Sequence, residues 1–83
     1  MAKRLVNGVA SVIRSLRKSS NISQEELADK AGLDRTYISG VERGVRNITL
    51  ESLESIVYGL EISLSTFLDE LKLYLNPKKN KDQ

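Results

Sequence analysis

Four residues with hydrogen-bonding side chains stand close together at positions 35 to 39: Arg35, Thr36, Tyr37 and Ser39. Their chemistry is recognition rather than bond making. An arginine fork fits the O6 and N7 acceptors of guanine, and hydroxyls serve base edges or phosphates. A tyrosine offers its ring to a thymine methyl and its hydroxyl to a phosphate. The bland alternative makes all four ordinary surface residues, with Tyr37 half-packed in a core. Around them lie donors suited to phosphate oxygens: Arg17, Gln24, Arg43, Arg46 and Asn47. Gln24 falls where a helix begins, so amides and the helix dipole add to its pull on an anion. Arg46 can instead pair with Glu42 and brace the loop. Glu42 itself, close to Arg17, Arg43 and Arg46, reads as an acid that orients guanidinium groups.

Other chemistry is poorly supplied. The chain has no cysteine and no histidine, which removes disulfides, thiolate metal sites and the commonest general base. No nucleophile–base pair, metal cluster or phosphate-cradling glycine loop is visible, so neither an enzyme nor a cofactor is expected. No apolar run approaches the roughly 20 residues of a membrane span. The basic start Met1-Ala2-Lys3-Arg4 is not followed by a long apolar stretch, and a cytoplasmic protein without a secretory signal is expected. Net charge is only +2, but it is unevenly placed. Residues 1–46 carry nine Lys/Arg against five Asp/Glu, whereas residues 47–76 carry Lys72 alone against five acids. One face is thereby suited to a polyanion and another is not.

Positioning these side chains requires helices, and five can be drawn. Val9, Val12, Ile13 and Leu16 recur at helical spacing and predict a first helix over 7–19. Ser23 and Glu26 form a capping-box pattern that opens a second helix, running to about Lys30 and burying Leu27, Ala28 and Ala31. Gly32 stands where the chain must turn. Asp34 is the next cap, and a third helix runs from Arg35 to about Arg43, ended by Gly44. Thr49 caps a fourth helix with Leu50, Leu53, Ile56 or Val57 and Leu60 inward, and Gly59 marks its end. Ser63 or Ser65 opens a fifth, with Leu64, Phe67, Leu68, Leu71 and Leu75 on one side; Asn76-Pro77 stops it. The expected organisation is one all-α, five-helix domain over 1–76 and a polar, flexible tail over 77–83.

The second and third helices carry a particular spacing. Ala28 is small enough for a steep crossing, Gly32 four residues later supplies the turn, and Leu33, Ile38 and Val41 lock the third helix onto the second. This is the pattern of a helix-turn-helix. It leaves Arg35, Thr36, Ser39 and Arg43 outward, Tyr37 at the margin, and Gly40 free to allow close approach. The run Ser23-Gln24-Glu25-Glu26-Leu27-Ala28, then Gly32, Ile38-Ser39 and Glu42-Arg43-Gly44, resembles the Xre/lambda-repressor class. The longer string from Asp34 to Thr49 is similar to the controller proteins of bacterial restriction–modification systems. That resemblance implies a homodimer on palindromic operator DNA, activating at one site and repressing when a second dimer fills its neighbour. It maps base reading onto Arg35, Thr36, Tyr37 and Ser39, and backbone contact onto Arg17, Gln24, Arg43, Arg46 and Asn47.

Leu73 and Tyr74 lie off the main stripe of the fifth helix, leaving apolar surface for a second copy across a two-fold axis. The expected interface comprises Leu64, Phe67, Leu68, Leu71, Leu73 and Tyr74. Activation would add RNA polymerase as a partner, with Glu25, Asp29 and Asp34 as its acidic surface. Two other readings stand beside this one: a phage-type or antitoxin-type repressor, and a protein-interaction module that does not bind DNA.

Overall fold

The computed structural model describes residues 3–76, which form five helices: α1 (Arg4–Ser19), α2 (Gln24–Ala31), α3 (Arg35–Glu42), α4 (Leu50–Gly59) and α5 (Leu64–Leu75). The expected tail over 77–83 lies outside the described residues. α2 packs against α3 and α4, while α1 packs against α3 and α5. Between them Ile13, Leu27, Ile38, Ile56, Val57 and Phe67 are almost wholly buried, one or two from every helix. A side chain of this size stabilises by about 1.5–3 kcal/mol when it leaves water, so each helix is held chiefly by its own anchor residues. Among the described residues no helix is long and apolar enough to cross a membrane.

Helix starts follow local chemistry. The capping box is complete: Glu26 N donates to Ser23 Oγ at 3.0 Å, and Ser23 N donates to Glu26 Oε1 at 2.8 Å. Thr49 and Ser63 accept from Ser52 N and Thr66 N, which settles the choice between Ser63 and Ser65. Asp34 occupies the cap position of α3 without a side-chain cap bond. α1 starts three residues earlier than the expected 7–19, because its first turn is tied by a tertiary bond rather than by core residues: Arg4 Nη2 donates to the Leu75 carbonyl at 2.8 Å.

The ends of α1 to α4 share one device. Asn21, Gly32, Gly44 and Glu61 have φ between 61° and 73°, and each ends a helix in left-handed geometry. After α2, Gly32 N donates to Asp29 O and Leu33 N to Ala28 O; after α3, Gly44 N donates to Val41 O and Val45 N to Gly40 O. Each pair satisfies carbonyls that the helix leaves open.

Two apolar expectations are corrected. Leu50 does not face the core; as the first residue of α4 it is 85% exposed, while Leu53 three residues later packs against the core. The α5 stripe is split: Phe67 and Leu71 are buried and Leu75 is half-buried, while Leu64 and Leu68 remain exposed. Phe67 and Leu71 therefore belong to the protomer's own core and are not free surface for a second copy. Leu5, Leu50 and Leu68 instead border an apolar groove floored by Val9, Ile48, Leu53, Phe67 and Leu71.

Candidate nucleic-acid interface

α3 can present a polar face because its other side is fixed. Ile38 and Val41 are buried beneath it, Leu33 packs at the turn, and Ala28 allows α2 to approach. Arg35 and Thr36 are then exposed on the outer side, with Ser39 half-buried beside them. Tyr37 is half-buried against the core, and the guanidinium carbon of Arg46 lies 5.2 Å from its ring centroid. This is within the range of a cation–π contact. Arg46 therefore does not brace the loop through Glu42, as one reading held; it folds back across α3. Arg43 and Asn47 are exposed on the loop that follows.

Arg17 is placed differently from expectation. It is buried, donating from Nε to Glu42 Oε2 at 2.7 Å, from Nη2 to Glu42 Oε1 at 3.0 Å and from Nη1 to the Ile22 carbonyl at 2.9 Å. All three of its nitrogens have internal partners, so Arg17 braces the site and has little left for a phosphate. The hydrogen bond to Glu42 raises its already high pKa further, and it stays charged at any ordinary pH. Glu42 also accepts from Gln24 Nε2 at 3.0 Å. The expectation that Glu42 orients cationic groups thus holds for Arg17, and a single carboxylate ties α1, α2 and α3 together.

Above this network is a shallow hollow lined by Arg14, Arg17, Lys18, Gln24, Ser39, Glu42 and Arg43. Its one acid is already paired, leaving Arg14, Lys18 and Arg43 as exposed cations around its edge. Such a concavity beside a helix start suits a phosphate oxygen. Arg14 and Lys18 escaped the sequence reading. Their spacing of four on α1 was the available signal, but it reads equally as a solvated helix face until the fold brings it beside α3.

Comparison with known proteins places this geometry among relatives. The helix-turn-helix family HTH_3 matches residues 13–67. Control protein C.BamHI of Bacillus amyloliquefaciens is 47% identical over 58 residues, covering 69% of this chain and 72% of the relative. Control protein C.SmaI of Serratia marcescens is 45% identical over 60 residues, covering 72% and 71%. Among solved structures, the restriction–modification controller protein C.Esp1396I, a tetramer in complex with its natural 35 base-pair operator, matches with a TM-score of 0.86. It shares 44% identity and covers 90% of this chain and 97% of its own.

Proposed function

This chain belongs to the helix-turn-helix family HTH_3, among the control proteins of restriction–modification systems, and on that footing we propose how it reads DNA. It is a transcriptional regulator that binds palindromic operators as a homodimer and controls a restriction–modification operon by activation and repression. The observation that carries the reading is the solvent face of α3, where Arg35 and Thr36 are exposed and Ser39 is half-buried beside a cation-rimmed hollow. In the major groove, Arg35 forks onto guanine while Thr36 and Ser39 meet neighbouring base edges. Tyr37, under Arg46, reaches the next step. Gln24, Arg43, Arg46 and Asn47, with Arg14 and Lys18, hold phosphates, and Arg17 positions Gln24 through Glu42. The protein is a binding protein rather than an enzyme, and it acts in the cytoplasm, where its operator is.

The second copy docks on the groove bordered by Leu5, Leu50 and Leu68, with Leu64 one turn before Leu68 on the same face. This face is favoured over Leu73 and Tyr74, whose surroundings include Ser11, Ser15 and Glu70. Asn47 and Ile48 also line the apolar groove, so the interface adjoins the loop after α3. A two-fold axis there directs both recognition helices to one side, as successive major grooves about 34 Å apart demand. Exposed Glu25, Asp29 and Asp34 offer the acidic surface for RNA polymerase; neutralising them would abolish activation without loss of operator binding.

Selection from a pool of random duplexes across a salt series tests the reading. A palindrome with half-sites about one turn apart is expected. If each dimer neutralises about ten phosphates, log K against log salt falls with a slope near −9. Arg35→Ala should cost about 1–3 kcal/mol and relax discrimination at one base per half-site. Full discrimination by that variant would remove Arg35 from base reading, and salt-sensitive binding without an enriched sequence would reduce the protein to a nonspecific binder.

A further inference from the structure

Gly40 sits inside an eight-residue helix, where glycine weakens helical structure relative to alanine. Its φ is ordinary, so no turn demands it; only Gly32 and Gly44 among the described glycines have positive φ. What a side chain there would meet is specific. A methyl group built on Gly40 would lie 2.7 Å from Arg46 Cγ, 3.3 Å from Arg46 Nε and 3.5 Å from Arg46 Cδ. The first distance is a clash, and it involves the stem of Arg46 rather than its free end. Gly40 is buried although it lies near the outer side of α3, and Arg46 is what covers it.

The loop is held in the same place by its backbone. Gly44 turns with φ +73°, and Val45 N donates to the Gly40 carbonyl at 3.0 Å. That bond returns the chain toward α3, so the Arg46 stem crosses Gly40 and its guanidinium reaches the Tyr37 ring one turn earlier.

We propose that Gly40 is a positioning residue for DNA recognition: it keeps open a notch on α3 in which Arg46 lies, so that a loop arginine completes the recognition face and orients Tyr37. The alternative is that Gly40 is small because DNA itself approaches there. In the proposed arrangement Arg46 fills that place, and the recognition surface is drawn from two stretches of chain rather than from one helix. The proposal rests on the DNA-binding reading, but its core, the dependence of Arg46 and Tyr37 on Gly40, can be measured without DNA.

The test is a double-mutant cycle on Gly40→Ala and Arg46→Ala, using the palindromic duplex enriched by selection and a scrambled duplex of equal length. Gly40→Ala should bind the palindrome at least tenfold more weakly while its Tm stays level or rises, since alanine favours the helix. Arg46→Ala should lose a comparable factor. The double variant should bind no more than about threefold worse than Arg46→Ala alone, because the glycine acts through the arginine. In the DNA-free protein, the NMR signals of the Tyr37 ring should shift alike in both single variants. Losses that multiply in the double variant would show that Gly40 makes room for DNA and would overturn the proposal. So would a Gly40→Ala protein with wild-type binding, or one whose Tyr37 signals stay in place. If the wild-type protein enriched no duplex, the DNA-binding reading would fail, while the ring signals would still decide the notch.

Discussion

The chain turns the same corner twice and surrounds it differently each time. Between α1 and α2 the sequence Asn21-Ile22-Ser23 runs through a left-handed residue, a half-buried isoleucine and a serine cap; between α4 and α5, Glu61-Ile62-Ser63 repeats it, with φ of 62° and 61° at the first residues. Around the first corner the chain places a buried network: Arg17 donates to the Ile22 carbonyl and to Glu42, which also receives Gln24. Around the second, the tie between elements among the described residues is an exposed pair, Lys30 with Glu61. The backbone device is local and reusable, so it explains the turn in both cases. What differs is the use of the corner: the first frames the cationic hollow beside α3, and the second joins two helices of the apolar, acidic half.

Removing the network should have the largest effect. Glu42→Ala leaves the buried Arg17 guanidinium without its carboxylate and frees Gln24, and breaking one side of a buried pair costs about 3–5 kcal/mol. Urea unfolding should show that loss. Glu61→Ala at the second corner should leave the unfolding midpoint close to wild type. If Glu42→Ala cost no more than Glu61→Ala, the two corners would be equivalent and the network would be ornamental to the fold.

Next in size is an effect confined to the back half. Leu68→Glu places a charge in the apolar groove of each protomer. At about 1.5 kcal/mol for each half-covered leucine, a dimer should lose roughly 3 kcal/mol of association, read by sedimentation at several concentrations. Leu73→Glu should leave association unchanged. The reverse result would move the interface to the α1–α5 face and cancel the role given to Leu50.

How far this division was legible in the sequence depends on range. Ser23 with Glu26, Gly32, Thr49 and Ser63 could be read because caps and turns act over three or four residues. So could the inward side of α3, since Ile38 and Val41 repeat at helical period. Arg17 could not, because its partner is 25 positions away, and a guanidinium near the end of a basic helix reads as surface. Leu50, Leu64 and Leu68 were misplaced for a related reason. Periodicity marks which residues share a face, but it does not say whether the chain itself or a second molecule covers that face. Gly40 in the sequence signals close approach; only the folded loop reveals Arg46 as the approaching group.

A smaller effect sharpens the front half alone. Arg14→Gln and Lys18→Gln should each weaken specific and nonspecific DNA to a similar degree. Each removes two phosphate contacts per dimer and lowers the salt slope by roughly 1.8. A change in base preference would place these side chains in a groove, and an unchanged slope would leave the hollow without a phosphate.

The smallest expected change lies at the second corner and has an unusual sign. Glu61 holds left-handed geometry that asparagine tolerates better, so Glu61→Asn should raise Tm by a few degrees. Against this stands the lost pair with Lys30. Its hydrogen bond and charge hold the Glu61 carboxyl below its usual range, while the flanking side chains stay open to water; exposed pairs contribute little. A depressed carboxylate pKa gives stability that is present above the unfolded value and is lost as pH falls through the folded one. The wild-type protein therefore sheds this contribution in acid and the variant has none to shed. The Tm advantage of Glu61→Asn should be larger near pH 3 than at pH 7. A lower Tm for the variant at pH 7 that recovers in acid would mean that the Lys30 pair outweighs the backbone strain, and the second corner would then hold its helices by charge much as the first does.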